Sequence, residues 1–183
     1  YPYNDPSQLP ILPVRDAVIF PYMTIPLQIA REISMQALER ALKEQRMLLL
    51  LSQKNARQDD PGPKDLYAIG TVCMIVRMLK EDDGRVKVLV QGLAKARVRE
   101  IVFEEPHLFC KIDAIQEPML SSVPIEVEAL MRSVRDTLDD FMGTKNLPNE
   151  ILMLTENIND PGVLADLIAA NLSLRVPDAQ RLL

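Results

Sequence analysis

Leu66 to Val102, LYAIGTVCMIVRMLKEDDGRVKVLVQGLAKARVREIV, is the stretch whose reading decides the fold. It opens with an apolar run rich in Val, Ile and Met that breaks at Glu81-Asp82-Asp83-Gly84, where Asp-Gly supplies the positive φ angles of a tight hairpin turn. The chain returns as Arg85 to Val90, with Val86, Val88 and Val90 on one face and Arg85 and Lys87 on the other, the two-residue period of a strand. Gln91-Gly92 marks a bulge or corner. Beyond it, Ala94, Ala96 and Val98 alternate with Lys95, Arg97 and Arg99, which predicts a third strand. Three linked strands with one apolar face need a cover, and the flanking segments are read as that cover.

The totals permit a sizeable core. The chain has 183 residues, 48% of them hydrophobic, enough for one large domain or two small ones. No apolar run approaches the roughly 20 residues of a membrane helix, and Tyr-Pro-Tyr-Asn-Asp-Pro at the start is no signal sequence, so a cytoplasmic location and no membrane partner are expected. The net charge is −5. All of it falls after Met119, where five basic residues face ten acidic ones, so the front is near neutral and lacks the electrostatic footprint of a general nucleic-acid binder. Cys73 and Cys110 show no CxxC spacing and read as buried thiols in a reducing compartment. Tyr1 is not an initiator Met and the chain stops inside a helix-like segment, Asp178 to Leu183, so a piece of a longer protein is expected.

Residues 1–8 read as a loose polar tail. From Leu9 to Ile29 the chain is apolar but interrupted by Pro10, Pro13, Pro21 and Pro26, which predicts short edge strands joined by a bent loop, since proline cannot donate to a sheet ladder. Val18, Ile19, Phe20, Tyr22 and Met23 cannot all point inward from so kinked a backbone, so part of the group forms an exposed apolar patch. Ser34 is placed as the cap of a covering helix whose buried face carries Met35, Leu38, Ala41 and Leu42. Met47 to Gln53 reads as a buried strand, Lys54 to Asp65 as a surface loop, and His107 to Ile115 as the last strand. In the back portion Ser122 caps a helix with Val127, Leu130, Met131, Val134, Leu138, Phe141 and Met142 at helical spacing, closed by Gly143. Helices from Pro148, from Pro161 after Asp160, and near Pro177 complete a helical bundle, each with proline in its first turn. The expected division is residues 1–118 and 119–183.

Three stretches together carry a resemblance: LPILPVRDAVIFPYMTIPLQI at the front, DLYAIGTVCMIVRMLKEDDGRVKVLVQGLAKARV in the centre and NDPGVLADLIAANLSLRVPDAQRLL at the end. Their order and content resemble the N-terminal region of the bacterial Lon proteases, ATP-dependent serine proteases of the AAA+ class. The resemblance implies an α+β chain: a PUA-like β-rich domain with one covering helix, then an all-α helical bundle leading towards an ATPase module. It implies a non-catalytic role in substrate recognition and assembly, with unfolded, damaged or selected regulatory proteins and other Lon subunits of a hexamer as partners. The six glycines form no Gly-rich phosphate loop ending in Gly-Lys-Thr or Gly-Lys-Ser, and nothing matches the surroundings of the family's Ser-Lys dyad. ATP, Mg and peptide-bond cleavage are therefore placed outside this chain, with no cofactor and no metal site expected within it.

Within that reading, Ile19, Phe20, Tyr22 and Met23 are the candidate substrate-binding group, with Arg31 and Glu32 at the entry to the first helix as further contacts. Nine methionines against eight aromatics supply adaptable apolar surface, although Met35, Met47, Met74, Met131 and Met142 occupy positions read as core. The row Arg85, Lys87, Lys95, Arg97 and Arg99 offers an RNA-binding alternative, weakened by Glu100, Glu104 and Glu105 and by missing stacking aromatics. A free-standing binding module of the same fold is the other alternative. His107, the only histidine, starts a strand with no nucleophile or carboxylate that the sequence can place beside it.

Overall fold

A computed structural model describes residues 7–118, 122–142 and 149–183. The front of the chain folds into strands β1 (Gln8–Val14), β2 (Thr24–Ile29), β3 (Met47–Ser52), β4 (Ile69–Lys80), β5 (Val86–Phe103) and β6 (Phe109–Ala114), with helix α1 (Glu32–Lys43) between β2 and β3. The sheet order is β2-β5-β4-β3-β1-β6, and β5 also pairs with β6. Five strands thus close on themselves and β2 stands outside the ring, paired to β5 alone.

The hairpin forms where the sequence places it. Gly84 adopts φ 83°, Glu81 N donates to Arg85 O at 2.8 Å, and Gly84 N donates to Glu81 O at 3.1 Å. The expected third strand is instead the second half of β5, which runs unbroken to Phe103. Cys73 pairs with Gly92 but Val72 with Ala94, so Leu93 is an extra residue and the strand bends there without ending. The simple alternation is lost with it: Ala94 is exposed and Lys95 buried.

β1 and β3 are parallel and apolar on both faces. Leu12, Val14, Leu48 and Leu50 join one core cluster with Leu38 and Ala41 of α1 and with Val86, Val88 and Val90. Leu9, Ile11, Met47, Leu49 and Leu51 join a second with Val72, Ala96 and Ile112. Burial on both faces is why these strands read as continuous apolar runs. β1 is not the edge strand that its prolines suggest. Its residues 8–10 pair with β6 and residues 11–14 with β3, so each half needs ladder bonds mainly on one side, and Pro10 and Pro13 are accommodated. Gln8, expected in the tail, already pairs with Lys111, and Ser7 O accepts from Ile112 N at 3.2 Å; residues 1–6 of that tail lie outside the described residues.

Ser34 is not the cap of α1. Arg31 holds the N-cap position without a side-chain bond and Ser34 is buried within the first turn, beside Ala37, Leu38 and Ala41 on the face that packs over β1 and β3.

The chain divides into two compact units, residues up to 116 together with 174–183, and residues 117–173. The second holds α2 (Ile125–Met142), α3 (Asn149–Glu156) and α4 (Pro161–Asn171). Met131, Leu138, Ile151, Leu164 and Ala169 are buried in it. Arg135 donates to Thr155 O at 3.1 Å and Ile158 O at 2.6 Å, satisfying carbonyls at the end of α3. Asp160 caps α4 as read, accepting from Val163 N at 3.0 Å with Pro161 in the first turn. Ser122 does not cap α2, whose first bond runs from Glu128 N to Pro124 O. Gly143, Pro148 and the Met142 side chain lie outside what is described. The expected fourth helix, α5 (Val176–Leu182), belongs to the first unit, where Gln180 Nε2 donates to Ile69 O at 2.9 Å.

Candidate functional site

The loop before β2 ends in a turn made of Phe20, Pro21, Tyr22 and Met23. Met23 N donates to Phe20 O at 3.3 Å, Pro21 occupies the second position, and Tyr22 in the third adopts φ 68°. This is the type II arrangement, whose third position ordinarily carries glycine or asparagine. The turn is fixed to β5 from both directions: Tyr22 N donates to Gly92 O at 3.0 Å and Gly92 N to Met23 O at 2.8 Å. A Cβ on Gly92 would stand 2.4 Å from Phe20 O, so only glycine allows the approach. Phe20 N also donates to Met23 Sδ at 3.2 Å.

This geometry separates the sequence-predicted residues. Ile19 and Phe20 are 4% and 1% exposed and lie in the interior, with Val18 and Pro21 also buried. Ile19 O accepts from Thr71 Oγ1. Met23 is half-buried against the core. Tyr22 is 60% exposed: the one side chain of the group that the turn presents to solvent.

Sequence reasoning missed the surface beside it. Outward-facing residues of β2, β5 and β4 form three cross-strand rows: Thr24, Gln91 and Met74; Pro26, Leu89 and Arg77; Gln28, Lys87 and Leu79. A register shift between Ile75 and Arg77 adds Val76. Met74, Val76 and Leu79 are exposed, which corrects the core assignment of Met74. Strand spacing makes this face roughly 10 Å across and 14 Å long. The bulge is why it was hidden, because it interrupts the alternation that would have marked Met74, Val76 and Leu79 as outward. The polar Arg77 and Lys80 were the available signal that this end of β4 meets water. At the hairpin end, Gln28 donates to Glu81 at 3.1 Å. Asp83 sits below the usual carboxylate range because the Arg85 backbone N–H and then its guanidinium donate to it.

Arg31 is occupied elsewhere. It donates to Pro13 O and Gln53 Oε1, each at 2.7 Å, and to Asp59 O at 3.2 Å. Burial and the neighbouring Arg15 lower its pKa. With Arg15, which bonds Ala56 O and Asp59, it ties the loop after β3 to the end of β1. Glu32 is exposed and accepts from Gln36 at 2.9 Å.

The basic row does not form one free cationic surface. Arg85 pairs with Asp83 at 2.6 Å and Arg99 with Asp113 at 3.6 Å, and Lys95 is 8% exposed. Cys73 and Cys110 are buried free thiols, with burial pushing both thiols up, Cys110 to about 12. Among the described residues no group of three or more His, Cys, Asp or Glu could hold a metal, and no helix is long and apolar enough to cross a membrane.

Comparison with known proteins places the chain in a family. Residues 8–183 match the family described as the ATP-dependent protease La (LON) substrate-binding domain. The Lon protease of Geobacter metallireducens is 48% identical over 179 residues, covering 97% of this chain and 22% of that protein. That of Desulfovibrio desulfuricans is 49% identical, covering 97% and 20%. The chain therefore spans about a fifth of these curated relatives. The N-terminal domain of Mycobacterium avium complex Lon protease shares the fold, with TM-score 0.75 at 21% identity over 96% of this chain and 89% of that one.

Proposed function

The chain belongs to the LON substrate-binding domain family, and from that premise we propose that the Tyr22 face of β2, β5 and β4 is where it takes hold of unfolded polypeptide. The observation that carries this is the aromatic side chain at φ 68°, 60% exposed, in a turn position suited to glycine. Strain that adds nothing to the core calls for another purpose. Pro26, Leu89, Met74, Val76 and Leu79 add apolar side chains to a face they share with Thr24, Gln28, Gln91, Arg77 and Lys87, and apolar contact is the chemistry that segments of a non-native chain share. Met74 adds a side chain that repacks against varied partners.

On this reading the chain is the non-catalytic recognition region of an ATP-dependent protease, and ATP, Mg, a Ser-Lys dyad and the contacts of a hexamer belong to the rest of that protein. The β unit has a PUA-like fold with α1 as its cover, the following helices act as a bundle leading to the ATPase module, and the protein works in the cytoplasm. The chain alone hydrolyses neither ATP nor casein; cleavage of either would overturn this division of labour.

Fluorescence anisotropy with reduced, carboxymethylated α-lactalbumin, and the native protein as control, tests the surface. Tyr22→Gly removes the ring and supplies the residue the turn accommodates. Stability should stay within about 1 kcal/mol, because relief of the positive φ offsets the extra freedom of glycine when unfolded. Affinity for the unfolded protein should fall about tenfold, a 1.4 kcal/mol loss. Unchanged affinity would show that Tyr22 does not bind substrate.

A further inference from the structure

His107 is 4% exposed, yet neither Nδ1 nor Nε2 has a hydrogen-bond partner in the protein. The ring is fixed by packing. It meets Phe103 edge-on at 5.3 Å and Phe109 at 6.2 Å between centroids, and Arg40 covers Phe109 at 4.8 Å. Burial, and then the charge of Arg40, lower its pKa, so the ring is neutral at pH 7: one donor and one acceptor. A second orphan lies nearby. Gln36 Nε2 donates to Glu32, but its Oε1 is buried without a partner.

Both side chains line one cavity along the flank of α1, of about 590 Å³, within the size range of ligand sites. Met35 and Pro106 supply apolar lining, and Glu32, Glu39, Arg40 and Lys43 give it no net charge. Arg40 is moreover paired with Glu44 at 2.6 Å. Both orphan groups are shielded from solvent, so a ligand in this open cleft meets them only once the His107 and Gln36 side chains turn outward; its balanced wall then suits a neutral ligand carrying both donors and acceptors. The peptide group is such a ligand, with one N–H and one C=O per residue. Leaving a buried polar group unpaired is costly, and a bound main chain would remove that cost at two places.

We infer that this cavity is a second subsite that takes the main chain of an extended polypeptide, with His107 donating to a peptide carbonyl and Gln36 Oε1 accepting from a peptide N–H. The inference rests on the substrate-recognition reading above and deepens it. The Tyr22 face selects apolar side chains, whereas the His107 cavity reads backbone that is free of secondary structure. A folded protein offers little such backbone, because its N–H and C=O groups are already paired.

The test uses residues 1–183, labelled with ¹⁵N, in which His107 gives the only imidazole signals. The probes are a capped, neutral Ala/Ser/Leu peptide and the same peptide N-methylated at alternate positions. The second probe keeps every carbonyl but lacks alternate N–H groups, so it should bind more weakly and, at equal concentration, shift the imidazole signals less than the first. His107→Phe, which keeps a ring between Phe103 and Phe109, and Gln36→Met should each weaken the unmodified peptide about tenfold. Shifts at Tyr22 with the imidazole unmoved would overturn the subsite and leave the Tyr22 face standing. Equal binding of the methylated peptide would overturn main-chain recognition. Silence at both places would overturn the substrate-recognition reading of this chain along with the subsite.

Discussion

The turn at Glu81–Arg85 and the turn at Phe20–Met23 both need a residue with positive φ, and they fill that position differently. Gly84, at 83°, has nothing within 4 Å of where a Cβ would stand; the hairpin simply carries the residue its geometry favours. Tyr22, at 68°, carries a large ring, and a left-handed conformation there costs roughly 1–2 kcal/mol. Neither residue is buried, so packing does not account for the choice. The first turn carries the residue that its chain reversal favours. The second holds an aromatic ring in water against its backbone preference, and two bonds to Gly92 over a buried Phe20 keep it there.

The comparison breaks most severely at Gly92. Gly92→Ala would drive a Cβ into Phe20 O, a backbone atom that cannot retreat without losing the paired bonds between Gly92 and the turn. Urea unfolding should show a loss of about 2–4 kcal/mol, in the range of severe single substitutions, and Tyr22 should be released from its position. A loss below about 1 kcal/mol would mean the turn is not locked to β5. Gly84→Ala comes next. With open space around the site only the φ angle opposes it, so the loss should be roughly 1–2 kcal/mol. A loss as large as that of Gly92→Ala would erase the contrast between the turns.

Much of this was legible in the residues. The Asp-Gly hairpin, the valine alternation of β5 and the buried run of β3 follow from turn chemistry and period alone, as does the Asp160 cap with Pro161 behind it. What failed shares one cause: a residue's partner is set by distant chain. Pro10 and Pro13 argued for an edge, yet β1 changes neighbours along its length. Ser34 is a good cap by type, yet Arg31 is held at the entry to α1 by bonds to Pro13 and Gln53. The last helix was assigned by proximity in sequence, but Gln180 bonds to Ile69. The loop's apolar residues were singled out as a group, and nothing in their order said that Phe20 would turn inward and Tyr22 outward. That follows from Gly92, far along the chain, whose missing Cβ admits the Phe20 carbonyl.

The smallest expected effect bears most directly on the strain at Tyr22. Tyr22→Asn and Tyr22→Ala both delete the ring, and since that side chain is largely in solvent the two variants lose similar contacts. They differ in backbone preference: asparagine tolerates the left-handed region, whereas alanine does not. The Asn variant should therefore be the more stable by about 0.5–1 kcal/mol, seen as a thermal midpoint about 1–4 °C higher. Both should bind unfolded α-lactalbumin as weakly as Tyr22→Gly does. Equal midpoints would mean that the positive φ costs nothing at this turn, and tyrosine would need no function to explain its presence there. A higher midpoint for Asn, with binding lost in both, would separate what the turn needs from what the ring does.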